Sequence, residues 1–263
     1  MTNAALAASF AAARDDASLA ILEGFHTLKH ALRFGASVTH AVTSDPATLA
    51  ELTDALAPDV GAAMARLVTP MTPAELRALG FPRPPHTGIV AIARRPAFSL
   101  PSLLQGEDAP VVLLEDPRHL GNVGAVVRVA AAAGAAGVVT TGARDPWDPA
   151  ALRGAAGLHF ALPVGRVGDG VAAGGRDAVV FDPSPRPLVA LDPEGEPLGS
   201  APLPAGAVLA FGTERHGLSD ALLARADMRV RIPMRDGVSS LNLATAVAAV
   251  LYTSSPTTLR SSS

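Results

Sequence analysis

The feature that most constrains the fold is an alternation, made twice, of short apolar runs with stretches of helical pattern. Between Leu19 and Pro96 the order is LAILEG, HTLKHALRFG, VTHAVTS, PATLAELTDALA, ARLVT, TPAELRALG and GIVAIARRP. From Val111 it is VVLLED, a helical stretch from Asn122 to Ala133, AAGVVTTG, a helix around Pro149 to Gly154, AVVFDPS, AVLAFGTE, DALLARAD, MRVRIP and SLNLATAVAAVLYTS. Apolar runs of about four to eight residues suit buried strands, and strands that alternate with helices pair in parallel because the return path needs a crossover. The expectation is an α/β fold with a mostly parallel sheet and helices on both faces. Ligands bind such sheets beyond the carboxyl ends of the strands, so the loops after strands are the place to look for function.

Local signals mark boundaries. Asp45 before Pro46, and Thr72 before Pro73 with Glu75 three residues after Thr72, are first-turn patterns of helices. Residues 95–110 carry three prolines with Gly and Ser and read as a linker. The expected division is a first domain over residues 1–96, a linker over 97–109 and a second domain over 110–263. The Ser/Thr-rich end from Ser254 to Ser263 is expected to fray.

Composition removes several chemistries. The chain is 49% hydrophobic but 4% aromatic, so its apolar content is mainly Ala, Val and Leu. Mean hydropathy is +0.31, yet the longest apolar run, Val129 to Val139, is about half a membrane span. No membrane helix is expected. The opening MTNAALAASFAAARDDASLA lacks a basic region before its apolar residues, so a cytoplasmic location is expected. With no cysteine, the chain has no disulfide, thiolate nucleophile or cysteine-ligated zinc. His26 and His30 share a helical face near Glu23, but no further ligand series accompanies them, and no metal site is expected.

Three loops after strands are polar and glycine-bearing. The first, Asn122-Val-Gly124-Ala-Val-Val-Arg128, puts an Asn near the expected N-cap of a bland helix and an Arg about two turns on, on roughly the same side. A capped helix whose surface Arg pairs with a carboxylate explains it equally well. The second, LAFGTERHGLS (209–219), turns at Gly212, projects Glu214 and bends at Gly217 before a helix near Ser219; an ordinary strand-to-helix turn reads the same way. The third runs from the strand ending at Ile232-Pro233-Met234 to Ser240-Leu241-Asn242, which opens a long Ala-rich helix. Capping alone accounts for Ser240 and Asn242.

In order, the three resemble the signature motifs of the SpoU/TrmH family of RNA ribose 2′-O-methyltransferases. N-x-G-x-x-x-R is similar to Asn122 to Arg128, G-x-E-x-x-G to Gly212 to Gly217, and I-P-M followed by S-L-N to Ile232 to Met234 and Ser240 to Asn242. RGAAGLHFALPV (153–164) resembles the family's small-residue segment between the first two motifs, and the resemblance covers roughly residues 110–253. It implies a C-terminal SPOUT domain, an α/β sheet whose chain is threaded into a deep trefoil knot, an exception to the usual absence of knots. It also implies S-adenosylmethionine in the knot and a homodimer with residues of both subunits at one site.

By that resemblance Leu209, Gly212, Glu214, Gly217, Ile232, Met234 and Leu241 would contact the cofactor, and Arg128, Asn122, Glu214, Ser240 and Asn242 would form the catalytic set. Arg128 would contact the hydroxyl and a phosphate; a guanidinium that stays protonated suits charge stabilisation better than base catalysis. Asn122 would orient Arg128 or the ribose, Glu214 would hold an arginine or the cofactor, and Ser240 and Asn242 would position substrate.

The first domain, with ILEGFHTLKHAL at its start, resembles the smaller ribosomal-protein-like α/β domain that binds RNA in many members. Arg77, Arg83, Arg94 and Arg95 gather late in it, and Arg215, Arg225, Arg229, Arg231 and Arg235 around the second and third motifs. Phosphate contact and pairing with acids such as Asp227 and Asp236 are equal readings for each. A net charge of −3 disfavours tight nonspecific binding and favours a structured RNA read by shape. Ribosomal RNA is expected ahead of transfer RNA; an antibiotic-resistance methyltransferase shares the chemistry, and a non-catalytic RNA-binding assembly factor is the alternative of another class. A nicotinamide-dependent dehydrogenase ranks last, because no G-x-G-x-x-G follows the first strand of either unit.

Overall fold

The computed structural model describes residues 2–106, 108–168, 181–213 and 216–254. In chain order the elements are α1 (Asn3–Asp15), β1 (Leu19–Glu23), α2 (Phe25–Arg33), β2 (Val38–Thr43), α3 (Pro46–Leu56), α4 (Gly61–Leu67), β3 (Val68–Pro70), α5 (Pro73–Ala78), β4 (Ile89–Arg94) and α6 (Leu100–Leu104). They continue with β5 (Val111–Leu114), α7 (Leu120–Ala132), β6 (Gly137–Thr140), α8 (Pro149–Gly154), β7 (Val164–Arg166), β8 (Leu188–Pro197), β9 (Val208–Phe211), α9 (Asp220–Arg225), β10 (Met228–Arg231) and α10 (Leu243–Ser254). These form two compact units, Met1–Ala97 with Trp147–Ala161, and Phe98–Pro146 with Leu162–Ser263.

The first unit is built on a mixed sheet in the order β1-β4-β2-β3. β4 is central, antiparallel to both β1 and β2, and its residues Ile89 to Ala93 are all buried. The expected helix starts form as the local chemistry dictates. Asp45 accepts from the Thr48 amide at 3.0 Å, and Thr72 and Glu75 close a reciprocal box, with the Thr72 amide donating to Glu75 at 2.7 Å. α1 buries Leu6, Phe10 and Ala13, at helical spacing, against a core where Phe10 meets Phe81 edge to face at 5.4 Å.

Residues 147–161, expected in the second domain, pack with the first. Trp147 is buried against His159 and Phe160, His30 Nδ1 lies 2.7 Å from the Ala156 carbonyl, and Arg153 pairs with Glu23 at 2.5 Å. Gly157 is positive in φ at 79° and sits against the backbone of Thr27, where a Cβ would lie 2.6 Å from the carbonyl oxygen.

The second unit holds a six-stranded sheet, β10-β8-β9-β5-β6-β7, in which every pairing is parallel. β5, β6 and β9 are buried at every residue, as a sheet covered on both faces requires. One local expectation fails here. The stretch read as a linker carries α6, capped by Ser99, and buries Leu103 and Leu104 in the sheet's core. Arg186 fastens it, donating to the carbonyls of Leu103, Leu104, Ala109 and Gly206. Of AVVFDPS, residues 178–180 lie outside the described residues, and in the described part, 181–184, Asp182 accepts from the Ser184 amide between two prolines. A described strand, β8, begins at Leu188.

Candidate active site

The sheet order places a topological switch at β5, which pairs with β6 on one side and β9 on the other while the chain leaves in opposite directions. A crevice opens beyond the carboxyl ends of strands at such a point. The carboxyl ends here are Leu114-Glu115 and Phe211-Gly212, joined by a hydrogen bond from the Glu115 amide to the Phe211 carbonyl at 2.9 Å. The first and second motifs therefore leave the sheet side by side.

Asn122 is not an N-cap. Helix α7 begins at Leu120 with His119 as its capping residue and no side-chain cap bond, which places Asn122 third in the helix with its own amide bonded to the His119 carbonyl at 2.9 Å. Its side chain reaches sideways instead, accepting from Asn242 Nδ2 at 3.2 Å. Asn242 is the capping residue of α10: its Oδ1 accepts from the Ala244 amide at 2.9 Å and its carbonyl from the Ala246 amide at 2.9 Å. One amide side chain thus closes the start of α10 and ties it to α7, and the two helices pack together.

Arg128 is exposed on α7, and among the described residues no carboxylate pairs with it. The surface ion pair that would have made it unremarkable is therefore missing there. Six residues at about 100° each put Arg128 roughly 120° around the helix from Asn122, so the two do not share a side as expected. Gly124 is buried on the inner face beside Val123 and Val127.

The second motif makes a closed loop. Thr213 and Gly217 exchange backbone hydrogen bonds at 3.1 and 3.0 Å, and the His216 amide donates to Thr213 Oγ1 at 3.1 Å. Gly217 has φ +64°, and a Cβ on Gly212 would overlap the Gly217 backbone, so both glycines are required by the turn itself. Glu214, assigned to both the catalytic and the cofactor sets, and Arg215 lie outside the described residues. The sequence reading passed over Glu115, which holds this loop's exit: its Oε1 and Oε2 accept from the Ser219 hydroxyl and amide at 2.6 and 2.7 Å. The available signal was an acid directly after the first strand of the parallel unit.

Other expected residues scatter. Leu209 is buried in the second position of β9, in register with Val112 and Val189. Ile232 is half-buried after β10, while Met234 and Leu241 are each 39% exposed in the loop that leads to α10. Ser240 is exposed, two residues ahead of the capping Asn242. Of the nearby arginines, Arg225 pairs with Asp182 at 3.0 Å, Arg229 with Asp192, and Arg231 donates to the Gly195 carbonyl at 2.6 Å. Asp227, offered as a partner for them, instead accepts from the Leu188 amide at 2.8 Å. Arg235 is exposed and has no acid partner among the described residues.

The geometry supplies a glycine loop at the sheet switch point, an ordered amide pair that ties α7 to α10, and an exposed cation on α7. Comparisons with known proteins give that arrangement a context. Residues 109–252 match the model of the SpoU rRNA Methylase family. The chain is 35% identical over 185 residues to the 23S rRNA (uridine(2479)-2′-O)-methyltransferase of Streptomyces viridochromogenes, a match that covers 69% of this chain and 64% of that relative. It is 34% identical to an uncharacterised tRNA/rRNA methyltransferase of Mycobacterium bovis, over 78% of this chain and 69% of the relative. The crystal structure of the SpoU methyltransferase AviRb from Streptomyces viridochromogenes in complex with AdoMet superposes with a TM-score of 0.72 at 28% identity, covering 92% of this chain and 91% of that one. With the motif order, the parallel sheet and these matches in agreement, the chain belongs to the SpoU rRNA methylase family.

Proposed function

We propose that this protein transfers the methyl group of S-adenosylmethionine to one ribose 2′-hydroxyl of a structured RNA, ribosomal rather than transfer RNA. The observation that carries the reading is the Asn122–Asn242 hydrogen bond, which joins the first and third motifs across 120 residues of sequence, on the same helix that carries Arg128 with no acid partner among the described residues. The relatives' names support the reaction, and the 23S rRNA methyltransferase supports the substrate class.

The residues present fit such a cofactor. Exposed Met234 and Leu241 and half-buried Ile232 offer apolar surface, and the loop closed by Gly212 and Gly217 offers backbone polar groups, at the ends of strands from one sheet. When bound, the cofactor supplies an electrophilic methyl on a sulfonium. Arg128 would bind the substrate's phosphate and stabilise negative charge on the 2′-oxygen while the hydroxyl proton passes to solvent water. Asn122, held by Asn242, orients the ribose, since a hydroxyl attacks only when aligned with the carbon it is to bond. Glu115 keeps the glycine loop in place through Ser219. Glu214 and Ser240 complete the assignment as contacts to cofactor and substrate.

Four further parts belong to the proposal: a trefoil knot formed by the chain from β9 to α10, a homodimer with a composite site, a first unit that binds the RNA, and a cytoplasmic location. Among the described residues no helix is long and apolar enough to cross a membrane. The test is incubation of the purified protein with tritium-labelled methyl donor and, in separate reactions, unmodified ribosomal and transfer RNA, followed by mapping of the labelled ribose. Label at one nucleotide of ribosomal RNA is expected. Measurable cofactor binding with no label in either RNA would overturn the catalytic reading in favour of a silent RNA-binding factor.

A further inference from the structure

The first unit contains a half-open cavity of about 400 Å³ that no part of the proposed reaction uses. Its walls carry Arg14, Arg83 and Arg95, the rings of Phe81 and Trp147, and Glu23. All six belong to the same compact unit, because residues 147–161 pack with residues 1–97. The volume lies in the range of small-ligand sites, about 300 to 1,000 Å³.

The lining has a definite chemistry. Arg14 lies over the Phe81 ring at 5.2 Å while it donates to the carbonyls of Leu79 and Gly80 at 2.9 and 3.1 Å. Arg95 lies over the Trp147 ring at 5.9 Å and donates from Nε to the Leu19 carbonyl at 2.6 Å. Each ring is buried and braces a guanidinium whose position is also fixed by backbone oxygens. Arg83 is exposed, with no carboxylate partner among the described residues. The one acid of the lining, Glu23, is committed to Arg153 at 2.5 Å. A chain with a net charge of −3 thus gathers three guanidiniums and two aromatic rings around one hollow.

We propose that this cavity is a subsite for an unpaired nucleotide of the RNA, with Arg83 on its phosphate and its base against the ring-braced guanidiniums of Arg14 and Arg95. RNA is read mainly at unpaired positions, where a splayed base stacks on aromatic or guanidinium planes and a cation takes the phosphate. A paired stretch does not fit, because its bases are already stacked on one another. The inference rests on the proposed RNA substrate and adds to it which part of the RNA the first unit grips.

Trp147 is the only tryptophan of the chain, so its emission reports on this cavity alone. The full-length protein is titrated with a short oligouridylate, a short oligoadenylate and an RNA duplex of similar length, in parallel with the methyl-transfer assay on ribosomal RNA. Saturable quenching by a single strand, with little by the duplex, is expected. Arg83→Ala is expected to weaken the single-strand response about tenfold and to lower the slope of log affinity against log salt by about one, with Arg83→Lys recovering part of the loss. Cofactor binding and kcat should stay at the wild-type level while the KM for RNA rises. Equal quenching by duplex and single strand, or an Arg83→Ala titration that matches wild type, overturns the subsite. Methyl transfer that proceeds with an unchanged KM in Arg83→Ala sinks the subsite and leaves the reaction standing. Arg83-dependent quenching without any methyl transfer does the reverse.

Discussion

Two regions of the parallel unit use the same side chain in opposite ways. Arg186 is 6% exposed, and its guanidinium donates to four backbone carbonyls and, among the described residues, pairs with no acid. In the first motif, Arg128 stands exposed on α7, more than two turns from the helix start, with no acid partner among the described residues. Burial lowers the pKa of Arg186 from its ordinary value, yet an arginine starts so high that it keeps its charge, and the carbonyl dipoles take the place of water. A buried cation saturated by carbonyls is a structural bolt, whereas an exposed one on the helix that follows the switch-point strand is available for an anion. The residue type does not separate the two cases, and only the surroundings do.

That contrast can be broken by exchanging readouts. Arg128→Ala is expected to reduce methyl transfer by about a thousandfold, roughly 4 kcal/mol of transition-state stabilisation, while cofactor binding and thermal midpoint stay near wild type. Calorimetry and single-turnover kinetics check both halves, and retained turnover would end the assignment of Arg128. Arg186→Ala is expected to act on the other axis. Four carbonyls lose their donor at once, so stability should fall by about 3 kcal/mol in denaturant melts. A stable Arg186→Ala protein would mean that α6 is held by Leu103 and Leu104 alone.

Smaller effects sharpen the comparison. Asn242→Ala removes both the cap of α10 and the bond to Asn122, and a loss of about 1 to 2 kcal/mol in stability is expected together with reduced kcat. Asn242→Asp keeps the cap oxygen but removes the amide donor that faces Asn122. Recovery of stability without recovery of kcat would separate capping from positioning. Glu115→Gln keeps one acceptor and should cost less, mainly through a looser loop 212–217, read as weaker cofactor affinity by titration.

The smallest expected effect is a pH dependence in the first unit. His30 has its pKa lowered from the ordinary 6.5, chiefly by burial, against the opposing pull of the Ala156 carbonyl. The unfolded chain therefore binds the proton first as pH falls. Stability from this group is complete above about pH 6.5 and declines below it, through the lower folded value. The thermal midpoint should drop slightly between neutral and mildly acidic pH, and His30→Asn should remove that slope.

What could be read without a structure followed from short-range physics. The alternation of apolar runs and helical stretches pointed to parallel strands in the second unit, and helices do lie on the paths from β5 to β6, β6 to β7 and β9 to β10. Asp45 and the Thr72–Glu75 box act within three residues and form as expected. The order of three motifs was enough to identify the family. Failures came wherever the deciding contact was distant in sequence. Asn122 has the chemistry of a cap, but α7 starts two residues earlier and its side chain answers to Asn242, 120 residues on. The proline-bearing stretch after Ala97 has the composition of a linker, but Arg186 and the buried Leu103 and Leu104 make it part of the core. Trp147 to Ala161 lies between β6 and β7 in the chain, yet Gly157 and His30 draw it to the other unit. Hydrogen-bond caps and hydrophobic period are properties of neighbours along the chain, so the sequence alone determined the elements, their alternation and the motifs. Which carbonyls surround an arginine, and which amide faces which, depends on chain segments brought together only when the sheet closes, and the tertiary structure alone decided those.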